Sequence, residues 1–299
     1  MLILEFLKAV LYGIVEGITE WLPVSSTGHL ILLDEWLPFA FSKDSTFMAE
    51  FWEMFEVVIQ LGAICAVILL FWKTIWPFGK SKSNAEKKRT FTLWGKVLVA
   101  SVPAAVAGIL FDKLLEKLTS KDIDGWLYNA WVVAAALIVY GVAFILVEYF
   151  NRNRTPRVTT TDDISYGTAF KIGMFQMLSI VPGTSRSGST ILGSIMLGVS
   201  RTAAAEFSFL MAIPVMVGAS AIKVLGFLKY VMESNVSVPW EAVALLAVGC
   251  LVSFLVSCAI IKFLMDFVKR HSFSSFGVYR IALGVVVLIY FAIRMAVVG

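Results

Sequence analysis

Long runs of apolar residues alternate with short polar segments along the chain, and most of these runs are long enough to cross a membrane. A spanning helix needs roughly 20 apolar residues. The runs are continuous rather than alternating in polarity, which favours helices. The pattern therefore predicts an all-α integral membrane protein with six transmembrane helices, near 52–72, 94–112, 128–150, 206–228, 241–265 and 277–298.

Two further segments, 1–35 and 166–200, are interrupted rather than continuous. Each begins as an apolar helical stretch, reaches a proline (Pro23 or Pro182) and a cluster of Gly and Ser, and then resumes as a second apolar stretch. Irregular backbone is tolerated at membrane depth only where it lines a cavity or is buried in protein. We therefore expect two re-entrant helical hairpins in addition to the six spans.

Basic residues predict the orientation, because cytoplasmic loops carry an excess of Lys and Arg. The loop 73–89 holds the densest basic cluster, so we place it in the cytoplasm, and counting crossings places both termini outside. The remaining cytoplasmic loops are then 151–165 and 266–276, and the external loops are 36–50, 113–127 and 229–240.

This topology makes the two halves of the chain an inverted repeat. The first hairpin enters from outside and the second from the cytoplasm, and three spans follow each. We expect a single membrane domain over 1–299, with halves of about 1–155 and 160–299, and a shared site near the midplane where the two motifs meet. At an offset of 160 the aligned pairs are Gly13 with Gly173, Glu16 with Gln176, Ser25 with Ser185, Thr27 with Ser187 and Gly28 with Gly188.

Composition agrees with the membrane assignment. The chain has 299 residues, of which 59% are hydrophobic and only 15% charged, whereas about a quarter of the residues of a soluble domain are charged; the mean hydropathy is +0.84. The net charge of +4 reflects basic loops and does not indicate nucleic acid. The N-terminal run contains Lys8 and no small-residue cleavage site, so we expect it to be retained.

The first interrupted segment carries two carboxylates, Glu16 and Glu20. Their i, i+4 spacing places both on one helix face, where two like charges in a desolvated setting cannot both ionise easily. Either they share a proton or a cation lies between them, and Mg²⁺ or Ca²⁺ suits such hard oxygen ligands. The alternative is a pair of carboxylates bonded to neighbouring hydroxyls.

The second segment has the composition of an anion-binding loop. Glycines allow close approach of backbone N–H groups, hydroxyls donate, and the N-terminus of the following helix adds positive potential. Arg186 supplies a planar fork that matches phosphate oxygens. The alternative is a packing turn with Arg186 paired to Glu16 or Glu20. The candidate substrate-binding residues here are Gly183, Thr184, Ser185 and Ser187.

Hydroxyls and a histidine follow one another in the first segment. Ser25, Ser26 and Thr27 lie within a turn of His29, which could activate a serine or itself attack phosphorus. His271 lies in a basic loop and is expected at the surface. Arg201 and Glu206 are expected to form a helix-end pair.

At these motifs the chain resembles the bacterial undecaprenyl-diphosphate phosphatase family associated with bacitracin resistance. The resemblance rests on Glu16-x-x-x-Glu20 running into residues 23–29, Pro-Val-Ser-Ser-Thr-Gly-His, and on residues 182–188, Pro-Gly-Thr-Ser-Arg-Ser-Gly. It implies hydrolysis of a polyprenyl diphosphate lipid to the monophosphate in the bacterial cytoplasmic (inner) membrane, with a divalent cation required. Glu16 and Glu20 would hold the metal or act as acid and base, Ser26 or His29 would attack, and Arg186 would clamp the diphosphate.

Two functions follow from these patterns. A diphosphatase would need a basic, hydroxyl-lined cavity open to the bilayer, and the predicted topology places it on the external side. A transporter or lipid flippase is the alternative, because inverted repeats with broken helices are typical of transporters. The nucleophilic and acid/base groups favour the enzyme. Membrane lipids are expected partners, nucleic acid is not, and a homodimer stays open.

Overall fold

The computed structural model describes residues 2–79, 82–119 and 129–298, and within these ranges the chain is built from helices. Lys80 of the basic loop and residues 120–127 of the predicted external loop 113–127 lie outside these ranges. The α-helices are α1 (Leu2–Thr19), α2 (Ser26–Trp36), α3 (Ser45–Leu70), α4 (Trp72–Ile75), α5 (Asn84–Thr119), α6 (Ala130–Asn151), α7 (Tyr166–Gln176), α8 (Arg186–Met196), α9 (Arg201–Ser234), α10 (Trp240–Arg270) and α11 (Ser274–Val298).

Six of these helices are long and apolar enough to cross a membrane, which confirms the six predicted spans. Most of them are longer than the apolar windows alone indicated. Helix α3 begins at Ser45 because the Asp44 side chain caps it, accepting from the N–H groups of Thr46 and Phe47 at 3.0 Å. The spans are Ser45–Leu70, Asn84–Leu110, Ala130–Asn151, Arg201–Ser234, Trp240–Arg270 and Ser274–Ala296.

The two interrupted segments each consist of two helices with a break between them. Helices α1 and α2 are separated by residues 20–25. Helices α7 and α8 are separated by a 3-10 turn (Met177–Ile180) and residues 181–185. The predicted breaks at the prolines are therefore present, whereas re-entry of these segments from one membrane face stays a prediction.

The chain divides into two compact units. Unit 1 comprises Met1–Trp21, His29–Lys73 and Ala212–Phe263, and unit 2 comprises Leu22–Gly28, Thr74–Met211 and Leu264–Gly299. Each unit thus takes elements from both predicted halves of the sequence. The description of the chain as a single domain stays a prediction.

The core of unit 1 is a cluster of aromatic rings that includes Tyr12, Phe39, Phe51 and Phe55. A buried ion pair ties the loop after α2 to the start of α1. Lys8 Nζ donates to Glu5 Oε1 at 2.8 Å and to the Pro38 carbonyl at 2.6 Å, and Ala40 N–H donates to Glu5 Oε2 at 3.0 Å. The charge inside the N-terminal apolar run therefore has a buried partner within unit 1.

In unit 2, helices α6 and α11 approach so closely that side chains are excluded at the crossing. A Cβ on Gly141 would lie 2.7 Å from Gly277 O, and a Cβ on Gly277 would lie 2.6 Å from Gly141 O. Nearby, Arg201 pairs bidentately with Glu148 of α6. The expected pairing of Arg201 with Glu206 is therefore wrong. Arg201 and Glu206 are five residues apart on α9 and so do not share a helix face, and the carboxylate of α6 is the partner that packing brings to Arg201.

Candidate active site

The break in the first segment ends in a strained serine that starts α2. The chain passes the buried Trp21 and Pro23 and reaches Ser25, whose φ is 74°. Positive φ costs a residue with a Cβ roughly 1–2 kcal/mol. In return the Ser25 Oγ accepts from Gly28 N–H at 3.3 Å, which is the geometry of a helix N-cap. Ser26 is consequently the first residue of α2.

The break in the second segment uses the same device. Ser185 has φ 70°, and its Oγ accepts from Gly188 N–H at 3.1 Å, so that Arg186 is the first residue of α8. Before it, the Thr184 hydroxyl donates to carbonyls of the 3-10 turn region at 2.7 and 3.0 Å. Gly183 has φ 92°, and a Cβ there would lie 2.5 Å from Val133 O. Only glycine fits this position.

The two loops are in contact within unit 2, which comprises residues 22–28 as well as 183–188. The Ser187 hydroxyl donates to the Leu22 carbonyl at 3.4 Å. A stronger link comes from Arg280 of α11, which donates to Pro23 O at 2.9 Å, to Gly183 O at 2.6 Å and to Thr184 O at 3.0 Å. The expectation that the two motifs meet is thus confirmed for these residues.

Arg280 is completely buried, and its guanidinium also lies over the Tyr140 ring, 5.4 Å from the centroid. Carbonyl oxygens neutralise a guanidinium only partially, so a buried arginine with this environment is a costly feature. Its Nη1 would lie 3.1 Å from a Cβ on Gly188. The positive charge is therefore next to the N-terminal turn of α8, where it adds to the potential that attracts an anion.

Arg186 and the hydroxyls around it are held by neighbouring helices. Arg186 Nη1 donates to Ser208 O on α9 at 2.8 Å, and the hydroxyls of Thr190 and Ser208 bond at 2.6 Å. Ser189 donates to the Tyr140 hydroxyl at 3.2 Å. These contacts hold the first turn of α8 and orient the Arg186 side chain.

All the predicted substrate-binding residues belong to one compact unit. Unit 2 contains Ser25, Ser26 and Thr27 from the first motif and Gly183, Thr184, Ser185, Arg186 and Ser187 from the second. The other predicted residues, Glu16, Glu20 and His29, belong to unit 1. Glu16 and Glu20 lie at the end of α1, where Glu20 N–H donates to Glu16 O at 3.0 Å, and both side chains are buried.

The side chains near the end of α1 determine whether the predicted divalent cation could bind there. Among the described residues there is no group of three or more His, Cys, Asp or Glu side chains that could hold a metal ion. Glu16 and Glu20 offer hard oxygen ligands, and Mg²⁺ typically takes one or two carboxylates and completes its coordination with water and substrate phosphates. The two carboxylates fit a cation whose coordination is completed by the oxygens of a diphosphate.

Sequence reasoning missed Arg280. It lies inside the apolar window 277–298, which was assigned only as a span. The available signal was the charge itself, because an arginine within a spanning segment is rare and usually functional.

Six helices of membrane-spanning length and apolar composition define the class of multi-pass integral membrane proteins. The chain belongs to the family of the bacitracin resistance protein BacA, whose model matches residues 9–286.

Similar proteins extend over nearly the whole chain. The undecaprenyl-diphosphatase of Desulfitobacterium hafniense is 49% identical over 98% of this chain and 99% of its own length. An undecaprenyl-diphosphatase of Enterococcus faecalis is 50% identical over 97% of this chain and 98% of its own. That of Streptococcus thermophilus is 49% identical over 98% and 96%, respectively.

Proposed function

We propose that this protein hydrolyses undecaprenyl diphosphate to undecaprenyl phosphate and inorganic phosphate. The observation that carries the proposal is the joined pair of loops in unit 2, where Ser187 bonds Leu22 and Arg280 bonds Pro23, Gly183 and Thr184. The full-length similarity to proteins named undecaprenyl-diphosphatase supplies the substrate. The reaction returns the lipid carrier to cell-wall synthesis, and bacitracin resistance follows from it.

The loop residues would bind the diphosphate. Two helix N-termini, those of α2 and α8, begin at Ser26 and Arg186, and the first N–H groups of a helix are natural phosphate ligands. Arg186 would form charge-assisted hydrogen bonds to the phosphate oxygens. Ser25, Thr27, Thr184, Ser185 and Ser187 contribute hydroxyls around these two turns.

Ser26 or His29 would attack the terminal phosphorus, and if the Ser26 hydroxyl attacks, its proton passes to the neighbouring base. The bond from that phosphorus to the bridging oxygen breaks, and the lipid monophosphate leaves with the electron pair. Water then attacks the phosphorylated side chain and releases inorganic phosphate, while the neighbouring base takes up the proton. Arg186 and the helix N-termini stabilise the charge that develops on the transferring group.

Glu16 and Glu20 would hold the divalent cation, Mg²⁺ or Ca²⁺. When bound, the cation neutralises phosphate charge and makes the phosphorus a better electrophile. The same carboxylates would alternatively act as acid and base in the proton transfers of the reaction.

The two interrupted segments would be re-entrant hairpins of an inverted repeat. Ser25 and Ser185, which are 160 positions apart, have the same positive φ and cap their helices in the same way. Gly13 and Gly173, also 160 apart, each lie against the backbone of a long span, at Gly249 O and Ala100 O. These local matches support a repeat that extends beyond the motifs.

The predicted topology opens the site to the external side of the inner membrane. This is tested by Thr27→Cys in a chain whose Cys65, Cys250 and Cys258 are replaced by alanine. A membrane-impermeant thiol reagent added to intact spheroplasts should label the cysteine. Labelling only in inside-out vesicles would reverse the orientation.

The activity itself is tested by phosphate release from undecaprenyl diphosphate by the purified protein in detergent, with and without a chelator. We expect release that requires a divalent cation and that falls when the monophosphate replaces the diphosphate. A folded protein that releases no phosphate would refute the enzyme, and movement of the lipid between leaflets in proteoliposomes would then support the flippase alternative.

A further inference from the structure

A basic cavity lies in unit 2 and shares no residue with the candidate active site. Its volume is about 870 Å³. Three pieces of chain form it: the end of α6 with residues 152–157, the turn from α8 to α9 (195–202), and residues 268 and 269 near the end of α10. This volume is within the usual range of about 300–1,000 Å³ for small-molecule sites, and it is much larger than a single phosphate ion requires.

The charges around this cavity are strongly unbalanced. Among the described residues that line it, Glu148 is the sole carboxylate, and it is occupied by Arg201 and by Phe273 N–H at 3.0 Å. Lys269 bonds the exposed Asp266 at 2.9 Å. The five cations are Arg152, Arg154, Arg157, Arg201 and Lys269.

Three of the arginines have no carboxylate partner within the part of the chain that the structure describes. Arg152 lies over the Tyr149 ring, 4.5 Å from its centroid, and Arg154 and Arg157 have exposed side chains. Helix ends do not cancel this charge. The carboxyl ends of α6, α8 and α10 and the amino end of α9 border the cavity, and each carries only about half a unit charge.

The backbone that carries Arg157 is fixed. The N–H groups of Arg157 and Val158 donate to Gly198 O at 2.8 and 3.2 Å, and Ser200 N–H donates to Val158 O at 2.8 Å. The Ser200 hydroxyl also donates to Thr159 O at 3.3 Å. The segment is therefore held against the start of α9, so the cavity wall is preformed on this side.

The lining also has an apolar side. Met196 is about half exposed, and Ile195, Leu197 and Val268 line the cavity with it. Exposed Tyr149 and Phe150 lie at the end of the spanning helix α6, where aromatic residues typically mark the membrane interface. A phosphate group against the arginines and an acyl chain against the apolar residues would satisfy both sides.

We propose that this cavity binds the headgroup of an anionic phospholipid through the phosphate. Arg154 and Arg157, which have no carboxylate partner among the described residues, supply guanidinium forks that match phosphate oxygens. A free phosphate ion shares the headgroup's chemistry but uses neither the volume nor the apolar side. The site is independent of the diphosphatase reaction, because none of its residues belongs to the two motif loops.

The test is native mass spectrometry of the full-length protein in detergent, titrated with phosphatidylglycerol or with phosphatidylcholine of the same acyl chains. We expect phosphatidylglycerol to bind more tightly, and the double variant Arg154→Gln/Arg157→Gln to lose about tenfold in affinity for it. The matched control is Lys88→Gln/Lys171→Gln, which removes two exposed positive charges outside the cavity. It should bind as the wild type does.

Three results would overturn the proposal. The first is equal binding of the two lipids by the wild type. The second is unchanged phosphatidylglycerol binding in the double variant, whose melting temperature should match that of the control. The third is a double variant that loses binding of inorganic phosphate, measured by calorimetry, but keeps its affinity for phosphatidylglycerol, which would make this a free-anion site.

Discussion

Residues 20–29 and residues 177–190 form closely related backbone turns that present different side chains. In each, one helix ends, a proline follows, and a serine with φ near 70° caps the next helix. The cap hydrogen bonds, from Gly28 N–H to Ser25 Oγ and from Gly188 N–H to Ser185 Oγ, are 3.3 and 3.1 Å. A non-glycine residue in this conformation is strained, and the same strain occurs 160 residues apart.

The side chains at equivalent positions divide the chemistry. The first helical position is Ser26 in one turn and Arg186 in the other, and the fourth is His29 in one and Ser189 in the other. Glu16 is matched by Gln176. The first turn thus carries a hydroxyl and an imidazole, which are nucleophilic and acid/base groups. The second turn carries the positively charged guanidinium of Arg186. In the proposed reaction, similar backbone turns would thus present a nucleophile in one motif and an anion ligand in the other.

The largest effect is expected from the nucleophile of the first turn. Ser26→Ala and His29→Ala should both reduce phosphate release, and loss of the true nucleophile should reduce it by at least about 10⁴-fold. Substrate labelled in the terminal phosphate identifies which residue attacks, because phosphoserine survives acid and phosphohistidine survives base. The absence of a label on either residue under quenched turnover would contradict a covalent intermediate and favour direct attack by water.

Loss of the Arg186 guanidinium in the second turn should have the next largest effect. Arg186→Ala should reduce kcat/KM by about 10²–10³-fold, since it removes a charged ligand of the transferring group. Arg186→Lys should recover part of this loss, because a lysine keeps the charge without the fork. The control is Ser194→Ala, later in the same helix, where the hydroxyl donates to Thr190 O of its own helix at 2.7 Å. A wild-type rate in Arg186→Ala would assign anion binding elsewhere.

Glu16 and Gln176 should differ in their effect on cation dependence. Glu16→Gln should raise the Mg²⁺ concentration needed for half-maximal activity by about 10–100-fold, because a cation ligand is lost. Gln176→Met should leave that concentration unchanged. The Gln176 amide is fully buried and has no hydrogen-bond partner among the described residues, so an apolar side chain of similar size should be tolerated. Equal shifts in both variants would remove the distinction between the two turns.

The hydropathy pattern predicted the helices and the breaks, because both depend on local composition. A run of apolar residues fixes a span, and a proline with adjacent Gly and Ser ends one. The contact between the two motifs was also expected, from the residue pairs that align at an offset of 160. The ends of the helices were less predictable, since Asp44 starts α3 through two side-chain hydrogen bonds that a hydropathy window does not register.

Partner choice could not be predicted, because it depends on packing between distant segments. Arg280 bonds carbonyls 96 to 257 residues away, and Arg201 bonds Glu148 rather than Glu206 on its own helix. The positive φ of Ser25 and Ser185 was also missed. Serine does not favour that conformation, and only the cap hydrogen bond explains why a residue other than glycine occupies it.

The smallest effect is expected from the strained serines themselves, and it should have the same sign in both turns. Ser25→Gly and Ser185→Gly relieve about 1 kcal/mol of strain and lose only a few tenths from the cap, so each should be neutral or slightly stabilising. Ser25→Ala and Ser185→Ala keep the strain and lose the cap, which costs about 1 kcal/mol. Each alanine variant should therefore melt a few degrees below its glycine counterpart in detergent. A difference in one turn only would show that the two turns, although alike in backbone, are not held by the same forces.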